Sequence, residues 1–307
     1  MSHIQDNPKI AIVILNWNGY KDTSECIISL QKTTFDNYQI FVVDNGSIQD
    51  DYLLLNKNFP EIEIIRSESN LGFTGGNNLG IEYAMKMNPD YFLLLNNDTI
   101  VEPNFIRPLL DVFEKEKNAG IAAPQINYFY EPEKIWTAGG KISRLRGSGF
   151  DHSDQIYNST KSEIRHVTFV SGCCMLIKKK VLEKIGLFDD NYFLYIEDAD
   201  LCCRTTQAGY KIAVNSNSKI FHKVSSSTKE NHSLLPIYYA TRNRLYFSQK
   251  NFPNFFILTL AYISLAMMIK SVYWLFSKNL KKILMITRAF KDFFSRRMGK
   301  SNSLSLK

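Results

Sequence analysis

FLLLNNDTI, residues 92–100, sets the pattern for the first third of the chain. Four apolar residues run straight into two amides and a carboxylate, and an apolar stretch then resumes. Similar runs occur as IAIVIL at 10–15, QIFVVD at 39–44 and IEII at 62–65. Helical patterns separate them, one carrying Cys26, Ile27 and Leu30, one near 48–58 and one near 79–87. Short apolar runs alternating with helices predict an α/β fold, a mostly parallel central sheet flanked by helices on both faces. In such sheets ligands bind beyond the carboxyl ends of the strands. The polar residues at those ends are Asn16, Asp44-Asn45, Ser67 to Asn70 and Asn96-Asn97-Asp98. They are expected to form one rim.

The second half is less regular. Residues 129–166 are rich in loop signals, with Gly139-Gly140, Gly147 and Gly149. A connection that long is expected to be functional or to carry short strands of its own. TFVSGCCMLIKKKVLEKIGLFDD (168–190) reads as strands followed by a short helix that stops at Gly186, and a further helix starts near Glu197. The most apolar segment is 252–276. From Phe255 to Ile269 it has no charge over 15 residues, whereas a spanning helix needs about 20. Behind it, residues 278–307 hold nine lysines and arginines against one acid, Asp292, while the chain as a whole carries +7. The basic character therefore belongs to the tail, which argues against nucleic acid as a partner. An apolar helix backed by basic residues is expected to lie in the interface of an anionic membrane. A buried helix or a homodimer contact is the alternative.

The five cysteines, two adjacent pairs and a singleton, match no disulfide framework and no zinc spacing, and are expected to be reduced, buried thiols. The start, MSHIQDNPKIAIVILNW, lacks the basic opening and cleavage pattern of a signal peptide.

Each candidate site has a plain structural alternative. VVDNGS (42–47) places Asp44 after a buried strand, where it could accept from a base or a ribose, but Asp-Asn-Gly-Ser is also turn chemistry. NLGFTGGNN (70–78) offers Asn70, Gly75 and free N–H groups at a helix start for phosphate, or simply a capped loop. Asp98 provides an oxygen ligand of the kind Mg²⁺ or Mn²⁺ takes together with substrate phosphates, or caps an Asx turn. Asp198 or Glu197 in LYIEDADLCCR (194–204) could act as a general base, or both acids could favour a helix N-terminus. His222 in IFHKVSSST (220–228) could be a further metal ligand or a structural histidine.

Taken in order, IAIVILNWNG, VVDNGS, NLGFTGGNN, LLLNND, FVSGCCMLIKK, LFDDNYFLYIEDADLCCR and YYATRNRLYF resemble the family 2 glycosyltransferases of the GT-A fold. The resemblance is nearest to bacterial rhamnosyltransferase-like enzymes of surface polysaccharide assembly, and covers about residues 8–250. It implies a GT-A domain over 1–250, with a Rossmann-like nucleotide-sugar-binding half at 8–100 and an acceptor half at 101–250. A helical C-terminal extension follows at 251–307. It implies inverting transfer from a nucleotide-sugar, dTDP-rhamnose or a UDP-sugar, to a glycan or lipid-linked acceptor, in the cytoplasm at the inner face of the plasma membrane. Asp44 would meet the base, Asn16 and Asn70 would line the nucleotide pocket, Asn96-Asn97-Asp98 would match the D-x-D-type metal motif with Asn first, and Asp198 would be the catalytic base. Acceptor positioning would fall to 129–166 and 169–175. A sugar nucleotidyltransferase would need a Gly-rich, basic loop after the first strand, where NWNGYKDTS stands. A non-catalytic binding module would have no need of both Asp98 and the Glu197-Asp198 pair.

Overall fold

The computed structural model describes residues 7–151, 163–224 and 234–301. The four apolar runs form β1 (Ile10–Asn16), β2 (Tyr38–Asp44), β3 (Glu63–Arg66) and β4 (Tyr91–Asn96). They pair in parallel in the order β3-β2-β1-β4. The crossovers are α1 (Tyr20–Leu30), α2 (Asp51–Asn58) and α3 (Gly72–Ala84). β1 shows why the runs are continuously apolar. Ile10, Ile12 and Ile14 face a core containing Cys26, Ile27 and Leu30 of α1 and Leu109 of α4 (Ile106–Lys115), while Ala11 and Val13 face Ile81 of α3. A strand covered on both faces has no polar side to present.

α3 begins at Gly72, well before the position near 79 that the sequence suggests. Glycine is a poor helix former, so tertiary packing overrides propensity here. A Cβ on Gly76 or Gly80 would run into Leu15 or Val13, respectively. The two glycines let α3 lie directly on the strand ends.

Beyond β4 the sheet turns mixed. β11 (Cys174–Lys178) is antiparallel to β4 and to β6 (Ala119–Tyr128); β12 (Lys211–His222) runs parallel to β6, and β10 (Ile164–Val167) borders it. The loop-rich stretch does carry strands: β7 (Ile135–Thr137) on β6, and the hairpin of β8 (Gly140–Ser143) with β9 (Ser148–Asp151); 152–162 lie outside the described residues. β12 breaks register between Asn215 and Lys219, and its final part pairs with β5 (Thr99–Val101), setting His222 opposite Thr99. A bulge of this kind re-aims a strand end.

The remaining helices are α5 (Lys179–Ile185), α6 (Glu197–Gln207), α7 (Leu234–Asn251), α8 (Phe256–Phe276) and α9 (Leu280–Phe294). The last three share a core of Leu245, Ile263, Met267, Ile286 and Phe293. α7 and α9 also meet the sheet domain, where Tyr238, Tyr239, Met285 and Ala289 cluster with Phe193. α8 continues through Lys270 for 21 residues and by length and composition could cross a membrane. It buries Thr259, Ile263 and Met267, spaced four apart, and exposes Ile257, Leu265, Met268, Ile269, Val272 and Phe276. All five cysteines are free and buried, and burial pushes the Cys26 thiol up to about 12.

Candidate active site

Strand register builds the rim. Asn16 pairs with Asp44 across β1 and β2, and Leu15 with Asn96 across β1 and β4. The Asn16 amide donates to Asp44 Oδ1 at 3.0 Å and to Asp51 Oδ2 at 3.1 Å. Its oxygen accepts from the Thr23 hydroxyl at 2.7 Å, and Thr23 Oγ1 in turn accepts from the Asn97 amide at 2.9 Å. Asp51 also accepts from the N–H groups of Gly19 and Tyr20, fixing the loop that enters α1. Asp51 escaped the sequence reading because an acid beginning a helix carries no signal beyond capping.

Around 70–76 the structure corrects one expectation. The N–H groups at the start of α3 are not free for phosphate. Leu71 N donates to Asn45 Oδ1, Gly72 N to Asn70 Oδ1 at 2.7 Å, and Phe73 N and Thr74 N to the Phe193 carbonyl. Asn70 therefore holds the turn in which Gly72 takes a φ of +76°. Gly76 is the glycine that packs beside Leu15 and Asn45 at the strand ends, whereas Gly75 opens on a cavity of about 410 Å³ bounded by Asn70, Asp190 and Lys300.

Asp98 meets His222 because β5 pairs with the end of β12: Asp98 Oδ1 lies 3.0 Å from His222 Nε2. Trp136 packs edge-on against the imidazole, and Nδ1 is buried with no hydrogen-bond partner. Among the described residues no cluster of three acids, histidines or cysteines could hold an ion. The donor set is thus one carboxylate with one imidazole. That fits a hard divalent cation whose remaining ligands come from phosphates and water. Asn96 uses its carbonyl in the turn, accepting from Thr99 Oγ1 at 2.7 Å.

The opposite wall carries the acid pair. Asn96 N donates to the Cys173 carbonyl at 2.8 Å, and one residue earlier Gly172 N donates to Asp198 Oδ2 at 3.1 Å. Ala199 N donates to Asp198 Oδ1 at 2.8 Å. Glu197 is 6% exposed, and its Oε2 has no partner. Burial raises both carboxyls, Glu197 well above the carboxylate range with the Asp198 charge adding to it; backbone N–H groups pull Asp198 back down. Two adjacent acids do not both ionise readily, and the one with N–H partners keeps the charge. Of the two candidate bases, Asp198 is the one whose carboxylate form has backbone N–H partners.

A raised folded-state pKa means that neutral Glu197 gives its full stabilisation below the unfolded value, about 4.3. That share is lost as pH rises through the folded value. Glu197→Gln is therefore expected to melt higher than the parent at pH 8 and by a smaller margin at pH 5. An equal margin at both pH values in thermal melts would show that Glu197 does not titrate as described.

The segment before the pair is strained. Phe193, Tyr195 and Ile196 have φ of +64°, +69° and +76°. Each such residue costs about 1–3 kcal/mol and persists only where its surroundings fix it.

The family model for glycosyl transferase family 2 matches residues 11–186, more than half of the chain. The chain belongs to glycosyl transferase family 2. This glycosyltransferase is 26% identical over 89% of its length to the low-salt glycan biosynthesis hexosyltransferase Agl10 of Haloferax volcanii, covering 87% of that protein. It is 23% identical over 71% to the N-acetylglucosaminyl-diphospho-decaprenol L-rhamnosyltransferase of Mycobacterium tuberculosis, covering 77% of it. It is also 23% identical over 80% to the dTDP-rhamnosyl transferase RfbF of Shigella flexneri, covering 81%. Among solved structures it resembles the mannosyltransferase PcManGT of Pyrobaculum calidifontis in complex with GDP-Man and Mn²⁺, with a TM-score of 0.57 at 10% identity, over 95% of this chain and 89% of that one. It also resembles GalNAc-T7 with UDP, GalNAc and Mn²⁺, with a TM-score of 0.58 at 17% identity; 84% of this chain is covered, and it spans only 55% of that one. At these identities the structural likeness shows the GT-A-type fold. Family membership sets aside a sugar nucleotidyltransferase.

Proposed function

We propose that this glycosyltransferase moves a sugar, with inversion, from a nucleoside-diphosphate donor to a hydroxyl of a lipid-linked or glycan acceptor in surface polysaccharide synthesis. dTDP-rhamnose is the first donor to test and UDP-sugars the next, on the strength of the rhamnosyltransferase relatives. The observation that carries the reading is the contact chain from Asn96 through Cys173 and Gly172 to Asp198, which brings Asp98 and Asp198 to one rim.

The chemistry follows from that placement. The acceptor oxygen attacks the anomeric carbon on the face opposite the diphosphate. A new C–O bond forms, the old one breaks with its electron pair leaving on the diphosphate, and the acceptor proton passes to Asp198. Both Asp198 oxygens hold a backbone N–H and keep a further lone pair, so the carboxylate is oriented and still able to take the proton. Asp98 and His222 would hold Mg²⁺ or Mn²⁺, which when bound would offset charge on the diphosphate. Asp44 and Asn16 would meet the nucleoside.

α8 supports a seat on the inner face of the plasma membrane. Its exposed face is apolar apart from Ser264 and Lys270, and Lys278, Lys281 and Lys282 follow it. α9 then packs back on α7, which returns the chain to the sheet domain and favours a helix lying in the interface over one crossing it.

A donor panel read by product mass, run on anionic liposomes carrying a polyprenyl-diphosphate-linked sugar, tests the reading. Mass gain from one nucleotide-sugar is expected, together with co-sedimentation that Leu265→Asp with Ile269→Asp abolishes. Hydrolysis without transfer from every donor would overturn the transferase reading, and unchanged co-sedimentation would overturn the membrane one.

A further inference from the structure

The YYATRNRLYF segment has a place in α7 but no role in the chemistry above. Two of its polar residues, Arg242 and Asn243, are fully buried. The Asn243 amide nitrogen donates to the carbonyls of Tyr192, Leu194 and Tyr195, each at 2.9 Å. Its oxygen accepts from Arg242 Nε at 3.1 Å. Arg242 donates to the Tyr192 carbonyl at 3.3 Å and to the Arg297 carbonyl at 3.2 Å, and lies over the rings of Tyr238 and Tyr239. Among the described residues no carboxylate forms an ion pair with it. Arg242 reaches a carboxylate through one hydroxyl: Nη1 donates to Tyr238 Oη at 3.3 Å, and Tyr238 Oη donates to Asp292 Oδ2 at 2.7 Å. Its planar fork is suited to fixing backbone carbonyls in set directions.

The chain after α9 closes on the same backbone. Gly299 N donates to the Asn191 carbonyl at 2.7 Å, Ser301 N to the Tyr239 hydroxyl at 3.0 Å, and the Lys300 ammonium to the Asn70 carbonyl at 3.0 Å. The clamped segment is the left-handed one that leads directly into Glu197-Asp198. Its Phe193 carbonyl also caps the first turn of α3.

We propose that Arg242 and Asn243, closed over by residues 297–301, are positioning residues that set the Asp198 carboxylate relative to the donor loop. The proposal rests on Asp198 as the base. The clamp acts through the 191–196 backbone and touches no substrate. Orientation of a reacting group within fractions of an ångström is what such a clamp supplies.

Asn243→Ala is expected to lower kcat about 10²-fold, with donor KM changed far less. Amide hydrogen exchange of 190–199, measured without substrates, should accelerate while the β1, β2 and β4 amides stay protected. Tyr239→Phe, which deletes only the hydroxyl that Ser301 N uses, should give the same local acceleration and a smaller loss of kcat. An Asn243→Ala protein with parental kcat well below its Tm, or with exchange accelerated uniformly across the sheet, would overturn the clamp. Tyr239→Phe with parental exchange would remove 297–301 from it. Exchange read without substrates is independent of which residue is the base, so the failure of the base assignment, seen in Asp198→Asn, is distinguishable.

Discussion

Asp198→Asn should bind donor like the parent enzyme and transfer sugar about 10²–10⁴ times more slowly, the range a positioned general base contributes. The amide is isosteric but has a single oxygen, so it keeps only one of the two N–H partners, Gly172 or Ala199, and it cannot take a proton from the acceptor. Calorimetry with nucleoside diphosphate should give parental affinity while kcat collapses. Turnover near the parent's would transfer the role to another group. Glu197 is a weak substitute, because burial and the Asp198 charge both disfavour its charged form, and its Oε2 has no hydrogen-bond partner.

The second large effect is expected at Asp98. With one carboxylate and one imidazole facing each other at 3.0 Å, the protein supplies too few ligands to hold a hard cation alone. Affinity for the nucleoside diphosphate should therefore depend on the divalent ion, and Asp98→Ala should abolish that dependence. His222→Ala should weaken it, since a single carboxylate would then be left on the protein to hold the ion. Identical affinities with and without Mg²⁺ or Mn²⁺ in the parent would remove the ion from this site.

The strands were legible because burial on both faces demands runs such as IAIVIL and FLLL, a constraint that survives without any knowledge of partners. The rim was legible for a related reason: a strand end is where a buried run must stop, so Asn16, Asp44 and Asn96 stand out against it. Other features depended on distant partners. α3 extends seven residues further than its pattern suggests because Val13 and Leu15 need glycine opposite them. Two N–H groups of its first turn, those of Phe73 and Thr74, are consumed by Phe193, more than a hundred residues away. Asp51, Arg242 and Asn243 act on backbone far from them in sequence, and no local period or spacing encodes that. The bulge in β12, which turns His222 toward Asp98, is equally silent in the sequence.

The dependence of 191–196 on α7 has a consequence for how the protein is made. Asn243 lies 51 residues beyond Tyr192, and the strap at 297–301 emerges later still. Synthesis proceeds from the N-terminus, and contacts across long loops form after local ones. β1 to β4 can therefore assemble on the ribosome while the left-handed segment still lacks the groups that hold it. On that schedule a nascent chain forms the rim of Asn16, Asp44 and Asn96 first and completes the bracing of 191–196 last, once α7 and residues 297–301 have been made.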